Sequence, residues 1–241
     1  MTINSATTVR DLVMQIPQAT RIFERFKIDY CCGGNTPLIE ACATAGITLE
    51  EIEQMLQPNA VVSEDEVVDF NQMRLPTLID HIIARHHIYT KNEMVRLTAL
   101  LMKVVAVHGE NHPELRQVSA LFARLCADLT PHMFKEEQIL FPCIVELEYA
   151  AVHKWSAPFA PFGKVRYPVG MMTKEHDTAG QILREIRKTT SDYLVPPDVC
   201  ISYKTLYEAL EVFEQDLHQH IHLENNILFP RALELEGMIT A

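Results

Sequence analysis

His132-Met133-Phe134-Lys135-Glu136-Glu137-Gln138-Ile139-Leu140-Phe141-Pro142 lines up, at a constant offset of 88 residues, with His220-Ile221-His222-Leu223-Glu224-Asn225-Asn226-Ile227-Leu228-Phe229-Pro230. Both stretches read H-x3-E-x3-L-F-P. One such match could be chance. Two, each closing a long helical pattern, point to a duplicated helical hairpin. On a helix, His and Glu four residues apart share a face, so each copy presents an imidazole and a carboxylate side by side. The Leu-Phe pair one turn further on continues toward a core, and Leu-Phe-Pro reads as core and helix ending.

Outward from these stretches, helical periodicity predicts four long helices, over about 76–107, 113–149, 169–192 and 203–235. The turns fall at Gly109–His112 and at Pro196-Pro197. The middle connection, about 151–168, is longer and holds Pro158, Pro161, Gly163 and Pro168. Short, long, short is the pattern of two hairpins in an up-down four-helix bundle. Pro131 and Pro142 lie inside the second pattern and predict a kink or break there. No β alternation is visible, so the expected class is all-α.

Residues at one level of an antiparallel hairpin lie equally far from its turn. His132 is 22 residues past a turn near 110, and His87 stands at the matching distance before it. His220 is 23 residues past a turn near 197, and His176 stands close to the matching place. His87 and His176 are themselves 89 apart, in step with the repeat. One layer of the bundle then holds His87, His132, Glu136, His176, His220 and Glu224. Four imidazoles and two carboxylates suit a dinuclear site, with two histidines on each metal and the glutamates between them. Histidine and carboxylate bind divalent iron well, and copper is compatible with the ligand types. A single zinc would leave two of the six groups buried and idle.

The remaining histidines read as outside this layer. His108 lies 21 residues beyond His87 on the same helix, roughly 31 Å away on a straight helix, and reads as a C-terminal cap. His81 is on the wrong face. His86 is the rival of His87 if the helix phase is off. His218 and His222 flank His220 and face away, and His112 and His153 read as turn residues. Trp155, the lone tryptophan, is placed over one end of the bundle.

Residues 1–58 read as a separate small helical unit, 59–74 as a polar linker and 75–241 as the bundle. In the first unit Pro37 suits a helix start, Gly46 a helix stop, and Thr48 with Glu51 a capping box. Its Asp29-Tyr30-Cys31-Cys32-Gly33-Gly34-Asn35 stretch is turn-like. Adjacent cysteines close only a strained eight-membered disulfide ring. Placed before a helix N-terminus, Cys31 and Cys32 are expected to have lowered thiol pKa values. They are the candidate catalytic pair, with a redox, thiol-exchange or metal-donating role; buried inert thiols and dimerisation through the turn are the alternatives. Cys42, Cys126, Cys143 and Cys200 read as small core hydrophobes.

The 241-residue chain is 48% hydrophobic and 22% charged, which suits a globular protein. Its net charge of −11 without a basic run argues against nucleic acid and anionic membranes as partners. No apolar stretch approaches the length of a membrane span, and no signal peptide is apparent. Six scattered cysteines fit a reducing compartment, so a cytoplasmic location is expected.

Taken together, the doubled H-x3-E-x3-L-F-P stretches, Glu175-His176-Asp177 and Asp29-Tyr30-Cys31-Cys32-Gly33-Gly34 make the chain resemble the iron-sulfur cluster repair proteins (RIC; the YtfE, ScdA, DnrN and NorA family) over essentially its whole length. The resemblance implies a hemerythrin-like di-iron bundle with a small ScdA-type N-terminal domain. The implied cofactor is two non-haem iron ions, oxo- and carboxylate-bridged, on His87, His132, Glu136, His176, His220 and Glu224. The family's cysteine pair falls on Cys31 and Cys32, and a further family histidine falls at His108. The implied function is repair of clusters damaged by nitrosative or oxidative stress, with damaged iron-sulfur proteins as partners and nitric oxide as a small-molecule ligand. A NorA-like role in nitric oxide scavenging or reduction, as found with denitrification, is the first alternative. An oxygen- or nitric-oxide-binding module without turnover is the second. Whether the chain is an enzyme, and whether it is a homodimer, stay open. An oxygen-activating oxidase or ferritin-like store ranks lowest, because that class carries Glu-x-x-His motifs and more carboxylates. The chain departs from the family pattern in its long Trp155–Pro168 connection and in the extra histidines His86 and His222.

Overall fold

The computed structural model describes residues 6–56, 69–156 and 162–240. Among these the structure is all-α, and the only β feature is an isolated bridge between Thr8 and Pro37. The N-terminal unit comprises α1 (Val9–Gln15), α2 (Ala19–Phe26), α3 (Leu38–Ala45) and α4 (Leu49–Met55). Thr8 with Asp11, and Thr48 with Glu51, form complete capping boxes, and Gly46 closes α3 in the left-handed region.

Four long helical rods form the bundle. The first joins α5 (Leu75–Ile82) and α6 (Ile88–His108) through a π-helical turn at Ile83–His87. The second joins α7 (Glu114–Lys135) and α8 (Phe141–His153) through a π turn at Glu136–Leu140. The third is the unbroken α9 (Arg166–Thr189). The fourth joins α10 (Ile201–His222) and α11 (Phe229–Thr240) through a π turn at Leu223–Leu228. Neighbours around the bundle run α6, α7, α9, α10, and α10 returns to α6.

The expected break in the second rod is this π turn. Proline removes an N–H and clashes with the carbonyl four residues back, which costs about 3 kcal/mol in a regular helix. Pro142 falls where the α-helix resumes, at the start of α8, and Pro230 has the same place in α11. The wider turn before each proline relaxes that clash. So Leu-Phe-Pro does not end a helix: Leu140, Phe141, Leu228 and Phe229 are core, and both rods continue beyond them. Pro131 sits inside α7. The first rod carries a π turn with no proline, which the periodicity did not predict.

Two apolar clusters divide the molecule. One packs the upper bundle, with Leu97, Leu125, Phe122 and Phe213, against Leu12, Phe23, Leu38 and Ile52 of the N-terminal unit. The other gathers α5, α8 and α11 around Leu78, Ile82, Phe141, Leu147 and Phe229. The predicted polar layer lies between them. Two buried carboxylates at the lower end cap helix starts from afar. Glu148 accepts the Leu75 N–H (2.8 Å), and Glu236 accepts the Val165 N–H (2.6 Å). The second contact starts α9 at Arg166, so Pro168, expected in the connection, lies in the first turn of the helix.

Most of the expected linker lies outside the described residues. Its described end is pinned. The Asn71 amide donates to the Met14 carbonyl (3.0 Å), and Arg231 donates to the Met73 carbonyl (2.7 Å). Trp155 does not cover a bundle end. It is 60% exposed and stacks on His153. Among the described residues no helix is long and apolar enough to cross a membrane.

Candidate metal centre

The structure brings His87, His132, Glu136, His176, His220 and Glu224 together in the layer between the two apolar clusters. They form two overlapping groups, His87–His220 and His132–His176, each with Glu136 and Glu224, and within each group the donor atoms lie within 4.8 Å of one another. All six are buried. Three of the six lie within the π turns: His87, Glu136 and Glu224. The locally widened backbone changes the phase of the helix and turns these side chains into the bundle.

Each glutamate reaches both histidine pairs. Glu136 Oε2 lies 3.2 Å from His132 Nε2 and 3.6 Å from His87 Nε2, and Glu136 Oε1 lies 3.9 Å from His176 Nε2. Glu224 Oε1 lies 3.0 Å from His220 Nε2, and its Oε2 lies 3.1 Å from His176 Nε2. Yet both Glu136 oxygens and Glu224 Oε2 receive no well-directed hydrogen bond. The histidines meet Nε2 to Nε2, at 3.0 Å for His87–His220 and 3.1 Å for His176–His132.

The outer ring nitrogens explain this. His87 Nδ1 faces Glu137 Oε1 (2.7 Å), His132 Nδ1 faces Glu175 Oε2 (2.8 Å), and His176 Nδ1 faces Asn225 Oδ1 (2.9 Å). Acceptors on the outside draw the ring proton to Nδ1 and leave bare Nε2 lone pairs pointing inward. Inward lone pairs and under-coordinated buried carboxylates repel one another unless protons or cations lie between them. Burying such charges unpaired costs several kcal/mol per ion, of order 3–5. Nitrogen and oxygen donors in this arrangement fit two borderline divalent metal ions.

Without a cation, protons must substitute. Burial disfavours a charged His132, but Glu136, Glu224 and Glu175 outweigh it and raise its pKa to about 9. His87 is likewise raised against burial by Glu224 and Glu136. His220 goes the other way, lowered by its burial. Glu224, despite burial, is held well below the ordinary carboxylate range by His220 and His176.

The N-terminal unit seals one side of this layer. Asn225 donates to the Cys31 carbonyl (3.1 Å) while its Oδ1 faces His176. Asn226 donates to the Tyr30 carbonyl (2.9 Å) and lies 2.9 Å from His222 Nδ1, and Arg10 donates to the Asn226 carbonyl. Burial and the Arg10 charge lower His222 to about 4, so it accepts from the amide as a neutral ring. His222 thus faces away from the layer but holds the cysteine turn. His218 does similar work on Glu24, which also receives the Tyr30 hydroxyl. Cys31 and Cys32 do not sit at a helix N-terminus, because α3 starts only at Leu38. A hydrogen bond to Cys32, burial and the Asp29 charge push the Cys31 thiol well above its usual pKa, the reverse of the sequence expectation.

His86 is buried beside the layer but binds Asp216 (3.1 Å) and stacks on His220, outside both donor groups. His108 lies at the far end of α6 against Cys200 (3.1 Å) and takes no part in the layer. Cys200 is exposed, so it is not the core hydrophobe expected; Cys42 and Cys143 are buried and Cys126 half-buried. Sequence reasoning missed the outer partners Glu137, Asn225 and Asn226. Glu137 and Asn225 each directly follow a layer glutamate, and that adjacency was the available signal.

A helical bundle with a buried His/Glu layer built on a duplicated hairpin defines the hemerythrin-like class. Residues 78–232 match the hemerythrin HHE cation-binding domain, and residues 5–60 match the ScdA_N domain, described as of unknown function. Over 226 residues the chain is 37% identical to a probable iron-sulfur cluster repair protein of Haemophilus influenzae, covering 92% of this chain and 95% of the relative. It is 34% identical over 224 residues to the iron-sulfur cluster repair proteins YtfE of Citrobacter koseri and Escherichia coli, covering 92% of this chain and 94% of each relative. The chain belongs to the YtfE family of hemerythrin-like iron-sulfur cluster repair proteins.

Proposed function

We propose that the chain holds two non-haem iron ions in the layer, on His87 and His220, on His132 and His176, with Glu136 and Glu224 shared. We infer that this centre serves the repair of iron-sulfur clusters damaged by nitrosative or oxidative stress in the cytoplasm. The observation that carries the reading is the pair of fully buried glutamates, three of whose four oxygens receive no hydrogen bond although histidine nitrogens surround them. The names of the relatives support the repair role. Bound ferrous ions would supply electrons and an open position for nitric oxide. Glu137, Glu175 and Asn225 fix the imidazoles in the tautomer that offers Nε2 inward. Lys91 and Lys135 hold Glu137 and Glu175 from outside. The apolar clusters on either side limit water around the layer.

The test is anaerobic iron quantitation with Mössbauer spectra before and after nitric oxide, alongside reactivation of a nitric-oxide-damaged iron-sulfur protein. Two coupled irons per chain and reactivation that fails in Glu136→Ala/Glu224→Ala are expected. Nitrous oxide evolution without reactivation would replace repair with nitric oxide removal. One zinc per chain, or no metal in a well-folded protein, would overturn the di-iron reading.

A further inference from the structure

The layer leaves the Asp29-Tyr30-Cys31-Cys32-Gly33 turn unexplained, and its geometry is specific. Cys31 Sγ lies 3.7 Å from Cys32 Sγ and 3.4 Å from Asp29 Oδ1. The three donor atoms form a third tight group, separate from the histidine groups. Around one tetrahedral ion with metal–sulfur bonds of about 2.3 Å and metal–oxygen bonds of about 2.1 Å, sulfur–sulfur edges are about 3.8 Å and sulfur–oxygen edges about 3.6 Å. The Cys31–Cys32 and Cys31–Asp29 spacings come within about 0.2 Å of these edges.

We propose that Asp29, Cys31 and Cys32 form a second kind of metal site, taking one thiophilic divalent cation of the zinc(II)/iron(II) class. It uses no residue of the His/Glu layer.

The site is built rather than incidental. Asp29 Oδ1 accepts the backbone N–H groups of Cys32 and Gly33, both at 2.9 Å, which fixes the carboxylate against the two thiols. A Cβ on Gly33 would stand 2.9 Å from the Asp29 carbonyl, so the turn closes only with glycine there. Arg184 binds the other Asp29 oxygen at 3.1 Å, and Cys32 Sγ packs 3.6 Å from the His176 carbonyl. A Cβ on Gly180 would meet Cys32 Sγ at 3.4 Å, so α9 is thinned where the turn docks. One side stays open. A cavity of about 230 Å³ bounded by Ile28, Asp29, Cys31, Arg184 and His218 leaves room for a fourth ligand such as water.

Charge and protons balance. Loading exchanges the two S–H protons, which leave to solvent, for one divalent cation. Two thiolates and one carboxylate then face two positive charges, and Arg184 offsets the remaining negative one. Because Asn225 joins the Cys31 carbonyl to His176, an ion in this turn sits one side chain away from the layer.

Anaerobic cobalt(II) titration of the reduced, metal-free full chain tests this. The expected result is a cobalt ion with thiolate-to-cobalt charge-transfer absorption in the near ultraviolet, in addition to the cobalt held by the layer. That absorption should vanish in Cys31→Ser and in Cys32→Ser while layer cobalt is unchanged. Asp29→Asn should weaken the ion by about tenfold or more. Since Asp29 also holds the turn, unchanged helical circular dichroism and unchanged layer cobalt in Asp29→Asn show that this variant is folded. Absence of thiolate absorption at saturating cobalt, or its persistence in both serine variants, would overturn the proposal. Thiolate absorption without layer cobalt would overturn the di-iron reading and leave this site standing.

Discussion

The two halves of the His/Glu layer are built from the same repeat but backed differently. In one half His132 is oriented by Glu175, whose carboxylate is held by Lys135. Subtracting the 89-residue offset from 175 gives 86, and the residue there is His86. Its ring stacks on His220, with centroids 5.8 Å apart, and turns its Nδ1 to Asp216 instead. His220 Nδ1 is therefore left without a partner. The other outer pair has diverged too. Glu137 orients His87, whereas its counterpart Asn225 orients His176 and also grips the cysteine turn. The difference teaches that the repeat reproduces the inner His/Glu groups while the groups behind them differ between the halves. A carboxylate behind a ligating imidazole raises its basicity and fixes its ring, and loss of such a partner typically costs 10–100-fold in affinity. The His132–His176 half should hold its metal more firmly than the His87–His220 half.

The largest effect would erase the comparison. Glu136→Ala with Glu224→Ala removes the groups common to both halves, and metal analysis after anaerobic loading should show that two-metal occupancy is lost. Acid and base separate the halves next. His132 keeps a proton up to about pH 9 in the metal-free chain, whereas His220 is depressed. Competition with a chelator should therefore show affinity at the His132 half rising about tenfold per unit from pH 7 toward pH 9. The raised pKa also sets a stability slope. Its contribution is complete below the unfolded value of about 6.5 and is lost as pH climbs through about 9. The unfolding midpoint of the metal-free chain should thus fall between pH 7 and pH 9, and the loaded chain should lack that contribution.

Glu175→Gln should level the two halves by weakening the stronger one roughly 10–100-fold, read as convergence of two binding steps in calorimetry. His86→Glu should level them from the other side, giving His220 the acceptor it lacks and strengthening that half by about tenfold. If either variant leaves the two steps as they were, the outer partners do not set the asymmetry. Smallest of all, Lys91→Ala or Lys135→Ala should change thermal stability by under about 1 kcal/mol, since both ion pairs are partly exposed.

How far these features were legible in the sequence depends on how local their causes are. The repeat at His132 and His220 fixed the helix faces, and counting outward from two turns sufficed to place His87 and His176. The capping boxes at Thr8 and Thr48 and the left-handed stop at Gly46 are local, set by residues within a few positions of each cap. The π turn at Ile83–His87 left no mark, because no proline or glycine signals it. Cys200 looked like any sparse cysteine, and only folding puts His108 beside it.

What the sequence alone determined is the inventory: an all-α chain, two hairpins, and six donors at one depth. Helical period and antiparallel register are short-range consequences of residue spacing, so spacing reveals them. What only the tertiary structure decided is environment. Glu148 and Glu236 start helices more than seventy residues away, Asn225 links the cysteine turn to His176, and the contact with Cys32 together with burial reverses the expected lowering of the Cys31 pKa. Those depend on which surfaces meet, and a thiol or imidazole takes its chemistry from the dielectric and charges that surround it, which no count along one chain can supply.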